Sequence, residues 1–238
     1  MDIIKTLAQE LQIKPGQAQA AAKLIDEGNT IPFIARYRKE ATGSLNDEIL
    51  RQLSERLSYL RNLEDKKQQV IASIEEQGKL TEELKAQIEA AQTLVVVDDL
   101  YRPFRPKRRT RATIAKEKGL EPLANLIRLQ LTKLPLEEEA QPFLDPEKEV
   151  HTVQDAINGA CDIIAEAVSD EADYRIRIRE LTANKGMVVS AAKDPQAESV
   201  YEMYYEFTES VSKIAGHRIL ALNRGEKEKI LSVKIEAP

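Results

Sequence analysis

The sequence predicts a mainly α-helical protein, a multi-helix bundle with a small β element near its carboxy terminus. Three observations carry this. Apolar residues recur mostly three and four apart, the spacing of one helix face. One such stretch, from Asn46 to Gln77, is long enough to form one arm of a helical hairpin. Past Gly186 the pattern changes, and the strand-like segment MVVSAA appears. A hydrophobic content of 42% with 32% charged residues suits a globular chain rich in exposed helix surface.

Taken in order, Ile3, Ile4, Leu7 and Leu11 predict a short first helix, stopped by Lys14-Pro15-Gly16. Ala18, Ala21, Ala22 and Ile25 predict a second, closed by Gly28-Asn29. TIPFIARYRKEATG (30–43) reads as a connector, in which Pro32 marks only a boundary. Asn46 then caps the long helix, with Ile49, Leu53, Leu57, Leu60, Leu63, Val70 and Ile74 along one face, and Gly78 ends it. Thr81 opens the return helix through Leu84, Ile88 and Ala91. VVVDDL (95–100) favours a strand by composition, but no partner strand stands nearby, so it is assigned to the end of that return helix.

Thr110 caps a short helix ending at Gly119, and Pro122 fits the first turn of the next, LANLIRLQL. A proline- and acid-rich linker follows through Pro135, Pro142 and Pro146. Two helices are expected from Val153 to Val168 and from Glu171 to Ala183, with Asp170 as cap. Beyond MVVSAA, the segment SVYEMYYEFTESVSKIAG reads as helical. HRILALNRGEKEKILSVKIEAP reads as two strands around Arg224-Gly225-Glu226-Lys227.

Charge is distributed unevenly. From Arg102 to Lys118 there are eight basic residues and one acid, a net of +7 in a chain of −5, so the remainder carries −12. Glu137 to Glu149 holds six acids against Lys148 alone. This asymmetry points either to an anionic partner or to an internal ion-pair network. Pro103 and Pro106 bias Arg102 and Arg105 towards extended backbone, and extended arginines can pair bidentately with phosphate oxygens. The segment feeds into a helix start at Thr110, whose free N–H groups also favour anions. Arg102, Arg105, Lys107, Arg108, Arg109, Arg111 and Lys116 are therefore the candidate nucleic-acid-binding residues, with Arg36, Arg38 and Lys39 as weaker ones. Tyr101 and Phe104 either pack on a sugar or base or anchor the loop to the core. Against this stands internal pairing with Asp98, Asp99 and the block around Glu137–Glu139.

Little else suggests chemistry. His151, His217 and Cys161 have no metal-ligand spacing, and no Gly-rich phosphate loop, Gly-x-Ser-x-Gly elbow or Cys-x-x-Cys is present. Adjacent carboxylates such as Asp98-Asp99 diverge by about 100° on a helix, so they are read as neutralising nearby arginines. No enzyme activity, cofactor or metal is expected. Aromatics are few and Trp is absent, so no large stacking platform for bases is expected. One cysteine is ordinary for a reducing compartment, the amino terminus is charged from its second residue, and no apolar run approaches the roughly 20 residues of a membrane span. A cytoplasmic location is expected, with no membrane partner.

Three segments, TIPFIARYRKEATGSL (30–45), DLYRPFRPKRRTRATIAKEKGLEPLA (99–124) and HRILALNRGEKE (217–228), resemble the amino-terminal region of the bacterial Tex family of transcription accessory proteins. Where relatives often carry tyrosine and lysine before Pro-Lys-Arg-Arg, this chain has Phe104 and Arg105, which keep the chemistry. The resemblance implies a helical region with a helix-turn-helix-like part, followed in the family by a YqgF-type RNase H-like domain, helix-hairpin-helix motifs and an OB-fold RNA-binding domain. Those later parts are absent from this sequence, so an amino-terminal fragment or truncated relative is expected. The regions expected are a helix-turn-helix-like start (1–45), a long helical hairpin with the basic loop and following helices (46–134), and a helical subdomain ending in short strands (147–238). Two functions remain open. One is a scaffold with an auxiliary, sequence-nonspecific contact to RNA or DNA phosphates. The other is a module that docks transcription machinery or further domains, with the arginines in an internal interface.

Overall fold

The computed structural model describes residues 2–238 and divides into two compact units, Met1–Phe104 and Arg105–Pro238. Among the described residues there are thirteen α-helices and one three-stranded sheet. The mainly helical class with a small carboxy-terminal β element is the one observed.

The first unit contains α1 (Ile3–Glu10), α2 (Pro15–Asp26), α3 (Ile31–Tyr37), α4 (Lys39–Thr42), α5 (Asp47–Glu76), α6 (Glu82–Ala90) and α7 (Leu94–Tyr101), then a 3-10 turn, Arg102–Phe104. Helix α5 is its spine. Asn46 caps it by accepting a hydrogen bond from the Ile49 amide at 2.8 Å, and its 30 residues span about 45 Å. Leu50, Leu53, Leu57, Leu60, Leu63, Val70, Ile71 and Ile74 are buried along it, and α1, α2, α3, α6 and α7 all pack on it. Two bidentate pairs orient the first helices: Arg56 donates to Glu10 at 2.6 and 2.7 Å, and Arg61 to Asp26 at 2.6 and 2.8 Å. Lys67 interrupts the apolar row yet is fully buried. Its Nζ donates to the carbonyl of Glu89, in the last turn of α6, at 2.7 Å and pairs with Glu64 at 3.2 Å.

Two expectations change in this unit. The connector at 30–43 folds as α3 and α4, because Pro32 sits in a first turn, where its missing N–H costs nothing, and Ile34 enters the core. VVVDDL belongs to a separate helix rather than to the end of the previous one. Ala91 and Thr93 are extended, the Thr93 side chain accepts from the Val96 amide at 3.3 Å, and the Leu94 amide donates to the Tyr59 hydroxyl at 3.1 Å.

The second unit contains α8 (Arg111–Glu117), α9 (Glu121–Leu129), α10 (Leu136–Ala140), α11 (Val153–Asp170), α12 (Ala172–Lys185), β1 (Met187–Ala192), β2 (Glu206–Ser210), α13 (Gly216–Lys227) and β3 (Leu231–Glu236). Small residues bring α8 and α11 together, with Ala112 and Ala115 buried on one and Ala156 and Ala160 on the other. Gly159 of α11 meets the same junction: a Cβ there would lie 2.3 Å from Leu120 Cδ1 and 3.4 Å from Ala115 Cβ. Asp170 is the last residue of α11 and Glu171 the cap of α12, one place beyond the expected cap.

In the sheet β1 is central, antiparallel to β2 and β3, with Val189 opposite Thr208 and Lys234. Here sequence and structure part. SVYEMYYEFTESVSKIAG is not helical but forms a 3-10 turn (Glu202–Tyr204) and β2, because the Tyr204 and Phe207 rings pack edge-on at 5.3 Å and Ser190 Oγ donates to the Tyr204 carbonyl at 2.6 Å. HRILALNRGEKE is not a strand but α13. Leu222 and Gly225 lie three apart on its buried face, against Leu231 and Tyr201, and the chain turns at Lys229 with φ 63° rather than at Gly225.

Gly159→Ala is expected to destabilise the second unit by about 1–3 kcal/mol through overpacking, measured by urea denaturation. In the first unit, hydrogen bonds from Arg56 and Arg61 hold the Glu10 and Asp26 carboxyls below their ordinary values, with partial burial opposing. Their stabilisation is therefore present above the unfolded carboxylate pKa and is lost as pH falls through the depressed folded one. A Glu10→Gln, Asp26→Asn double variant should melt below wild type at pH 7. Circular dichroism melts should show that gap closing as pH drops below about 4.

Candidate nucleic-acid interface

The sequence places seven candidate cations in one run, and the structure divides them. Arg102 stands in the 3-10 turn that ends the first unit, while the other six begin the second. Residues 105–110 have no regular structure. Thr110 then starts α8, its hydroxyl accepting from the Thr113 amide at 3.1 Å and sharing a 2.9 Å contact with the Thr113 hydroxyl.

Within the second unit, Lys107, Arg109, Arg111 and Lys116 each meet an acid. Lys107, whose side chain is 28% exposed, reaches Asp170 in direct contact and Glu166 at 3.4 Å. Arg111 lies 3.5 Å from Asp162 but is 86% exposed. Arg109, 69% exposed, donates to Glu117 at 2.9 Å, and Lys116 pairs with Glu121 at 3.3 Å. Arg105 and Arg108 are exposed. The segment is thus anchored at Lys107, while its arginines project towards solvent.

Three of the acids that answer the run lie on α11. Asp162, Glu166 and Asp170 stand four apart on α11, each step turning only about 40°, so they form a stripe on one face. DIIAEAVSD carries that spacing openly, and it is the signal by which Glu166 and Asp170 could have been found. Asp98 lies 3.4 Å from Lys66, and Asp99 is buried. Of the acidic block, Glu139 accepts from the Thr132 hydroxyl and Asp145 pairs with Lys148, while Glu149 takes Lys118 at 3.4 Å.

A cleft of about 230 Å³ lies between α8 and α11. Arg111 and Lys118 line it together with Glu149, Asp155 and Asp162, so its walls carry both signs. Asp155 is held below its ordinary value chiefly by the side chain of Thr152, in the reciprocal cap that starts α11. Mixed walls do not favour an anion inside. Arg36, Arg38 and Lys39 are exposed at the junction of α3 and α4 in the first unit. His217 falls in the first turn of α13, and among the described residues no three His, Cys, Asp or Glu side chains are placed to hold a metal. No helix among them is long and apolar enough to cross a membrane.

Residues 1–75 match the family model for the Tex-like protein N-terminal domain, and residues 132–238 match the one described as Tex central region-like. The basic run falls between the two. Pairwise likeness crosses it: the Transcriptional accessory protein Tex of Neisseria gonorrhoeae is 42% identical over 241 residues, covering 99% of this chain and 31% of the relative. YdcI of Bacillus subtilis (strain 168) is 47% identical over 235 residues, 98% of this chain and 33% of the relative. The human S1 RNA-binding domain-containing protein 1 is 29% identical over 244 residues, 98% of this chain and 24% of that protein. The chain spans at most about a third of the length of these curated relatives. With both regions matched in chain order and likeness running through the segment between them, the chain belongs to the Tex family.

Proposed function

We propose that this chain is a non-catalytic helical scaffold region of a transcription accessory protein, and that the exposed cations of its basic segment make an auxiliary contact with nucleic-acid phosphates. The observation that carries this reading is the division of labour within the segment. Lys107 is drawn against Glu166 and Asp170, whereas Arg109 and Arg111 keep most of their side chains in solvent. Exposed ion pairs of that kind contribute less than about 1 kcal/mol. A phosphate can therefore exchange with the Glu117 or Asp162 carboxylate at little cost, and bidentate guanidinium–phosphate bonds compensate. Such contacts position a strand without reading its sequence. Likeness to a protein named for RNA binding makes single-stranded RNA the first probe.

The ion pairs also favour a second reading, in which the segment fixes an internal or protein-docking interface. Fluorescence anisotropy across a salt series separates the two. With labelled single-stranded RNA, wild type should weaken with a log–log slope of about −0.7 per phosphate engaged, and with duplex DNA about −0.9. An Arg105→Ala, Arg108→Ala, Arg109→Ala variant, shown folded by circular dichroism, should lose most of that affinity. Absence of binding by wild type at low salt would reject the phosphate contact and leave the interface reading. Lys107→Ala should behave in the opposite way: a stability loss of about 1 kcal/mol in urea denaturation, larger than that of Arg109→Ala.

A further inference from the structure

A second cationic surface lies in the first unit and owes nothing to the basic segment. In α3, Phe33 and Tyr37 are one turn apart with ring centroids 5.3 Å from one another and planes tilted by 46°. The Arg38 guanidinium lies over the Phe33 ring at 5.3 Å, and that of Arg36 stands 5.9 Å from the centre of the Tyr37 ring. Tyr37 is 56% exposed. Across residues 31–42 three cations, Arg36, Arg38 and Lys39, face a single acid, Glu40. Among the described residues no ion pair engages those three cations, in contrast to the basic segment, where Lys107, Arg109, Arg111 and Lys116 pair with acids.

The support beneath is fixed. Ile34 is fully buried against α5, and Thr42 is fully buried at the end of α4. Gln17 Nε2 of α2 donates to the Thr42 and Gly43 carbonyls at 3.1 and 3.2 Å. Gly43 takes φ 61°, and a Cβ there would lie 2.7 Å from the same Gln17 nitrogen, so close approach holds this corner. Tyr37, an exposed ring on a rigid mount with Phe33 and the Arg36 guanidinium against it and cations engaged by no acid beside it, has the chemistry of a base-stacking site. An unpaired base stacks there by displacing the Arg36 guanidinium, 5.9 Å from the ring centre, towards a phosphate, where Arg38 and Lys39 also reach. Little ordering entropy is lost on binding, because α3 and α4 are already held.

We infer that the α3–α4 corner binds single-stranded nucleic acid by stacking one unpaired base on Tyr37, with Arg36, Arg38 and Lys39 on the flanking phosphates. The full chain is titrated by anisotropy against two labelled twelve-residue strands, oligouridylate and an abasic ribose-phosphate strand of the same length. Tyr37→Ala should weaken oligouridylate binding by about fivefold or more, leave the abasic strand unaffected, and be rescued by Tyr37→Phe. Arg36→Ala, Arg38→Ala, Lys39→Ala should weaken both strands and flatten the salt slope by about 2. Unchanged oligouridylate binding by Tyr37→Ala overturns the inference, and so does an equal loss on both strands. If the basic-segment variant alone loses affinity, this site is rejected and the earlier one stands. If only the Tyr37 and Arg36–Lys39 variants lose it, the reverse holds. Wild type binding neither strand rejects both.

Discussion

Burial of the leucine row on α5 is the constraint on which the first unit depends. A 30-residue helix exposing that row to water would be untenable, and five other helices exist in their places because they cover it. Magnitudes separate what holds from what orients. Each fully buried Leu, Ile or Val contributes about 1.5–3 kcal/mol relative to exposure, whereas an exposed ion pair contributes less than about 1. The Arg56–Glu10 and Arg61–Asp26 forks therefore set the angle at which α1 and α2 meet α5 rather than supplying the force that keeps them there. In the second unit α11 has the same place, but its partners approach through alanine and glycine. The contact there is close, and intolerant of added volume.

The helices that could be read from the chain were those whose signals are local. The Asn46 cap, the leucine spacing of α5 and the Thr110 cap of α8 all lie within a few residues of the element they start or define. The failures share a different cause. Glu206–Ser210 is a strand only because β1 stands beside it, a partner some twenty residues earlier in the chain. Residues 217–227 offered Ile, Leu and Leu in a short run that suits either structure, and the deciding contact, Gly225 against Tyr201 and Leu231, is tertiary. The buried face of α3 was hidden because Ile34 alone of its seven residues is buried.

The candidate interface shows the same limit. Its cations were legible because charge clusters in composition. The α11 acids that Lys107 meets were not, since Lys107 and Asp170 are 63 residues apart and the packing of α8 on α11 brings that stripe to the run. Aromatic content tells little about placement. Few rings argue against a large platform, and only the fold shows that two of them stand four residues apart on α3, one of them open to solvent.

Lys67 gives the first unit something that leucine would not. An all-aliphatic row on α5 is nearly the same at every turn, so α6 could slide along it by one repeat, about 5.4 Å, and still find apolar surface. A single ammonium in that row reaches an accepting carbonyl at one offset only, the one where Glu89 presents its oxygen. Any displaced arrangement leaves the ammonium with Glu64 of its own helix and loses the carbonyl bond, at a cost of about 1–3 kcal/mol. The lysine works as a key in a keyway, turning a greasy rail into a joint with one stop.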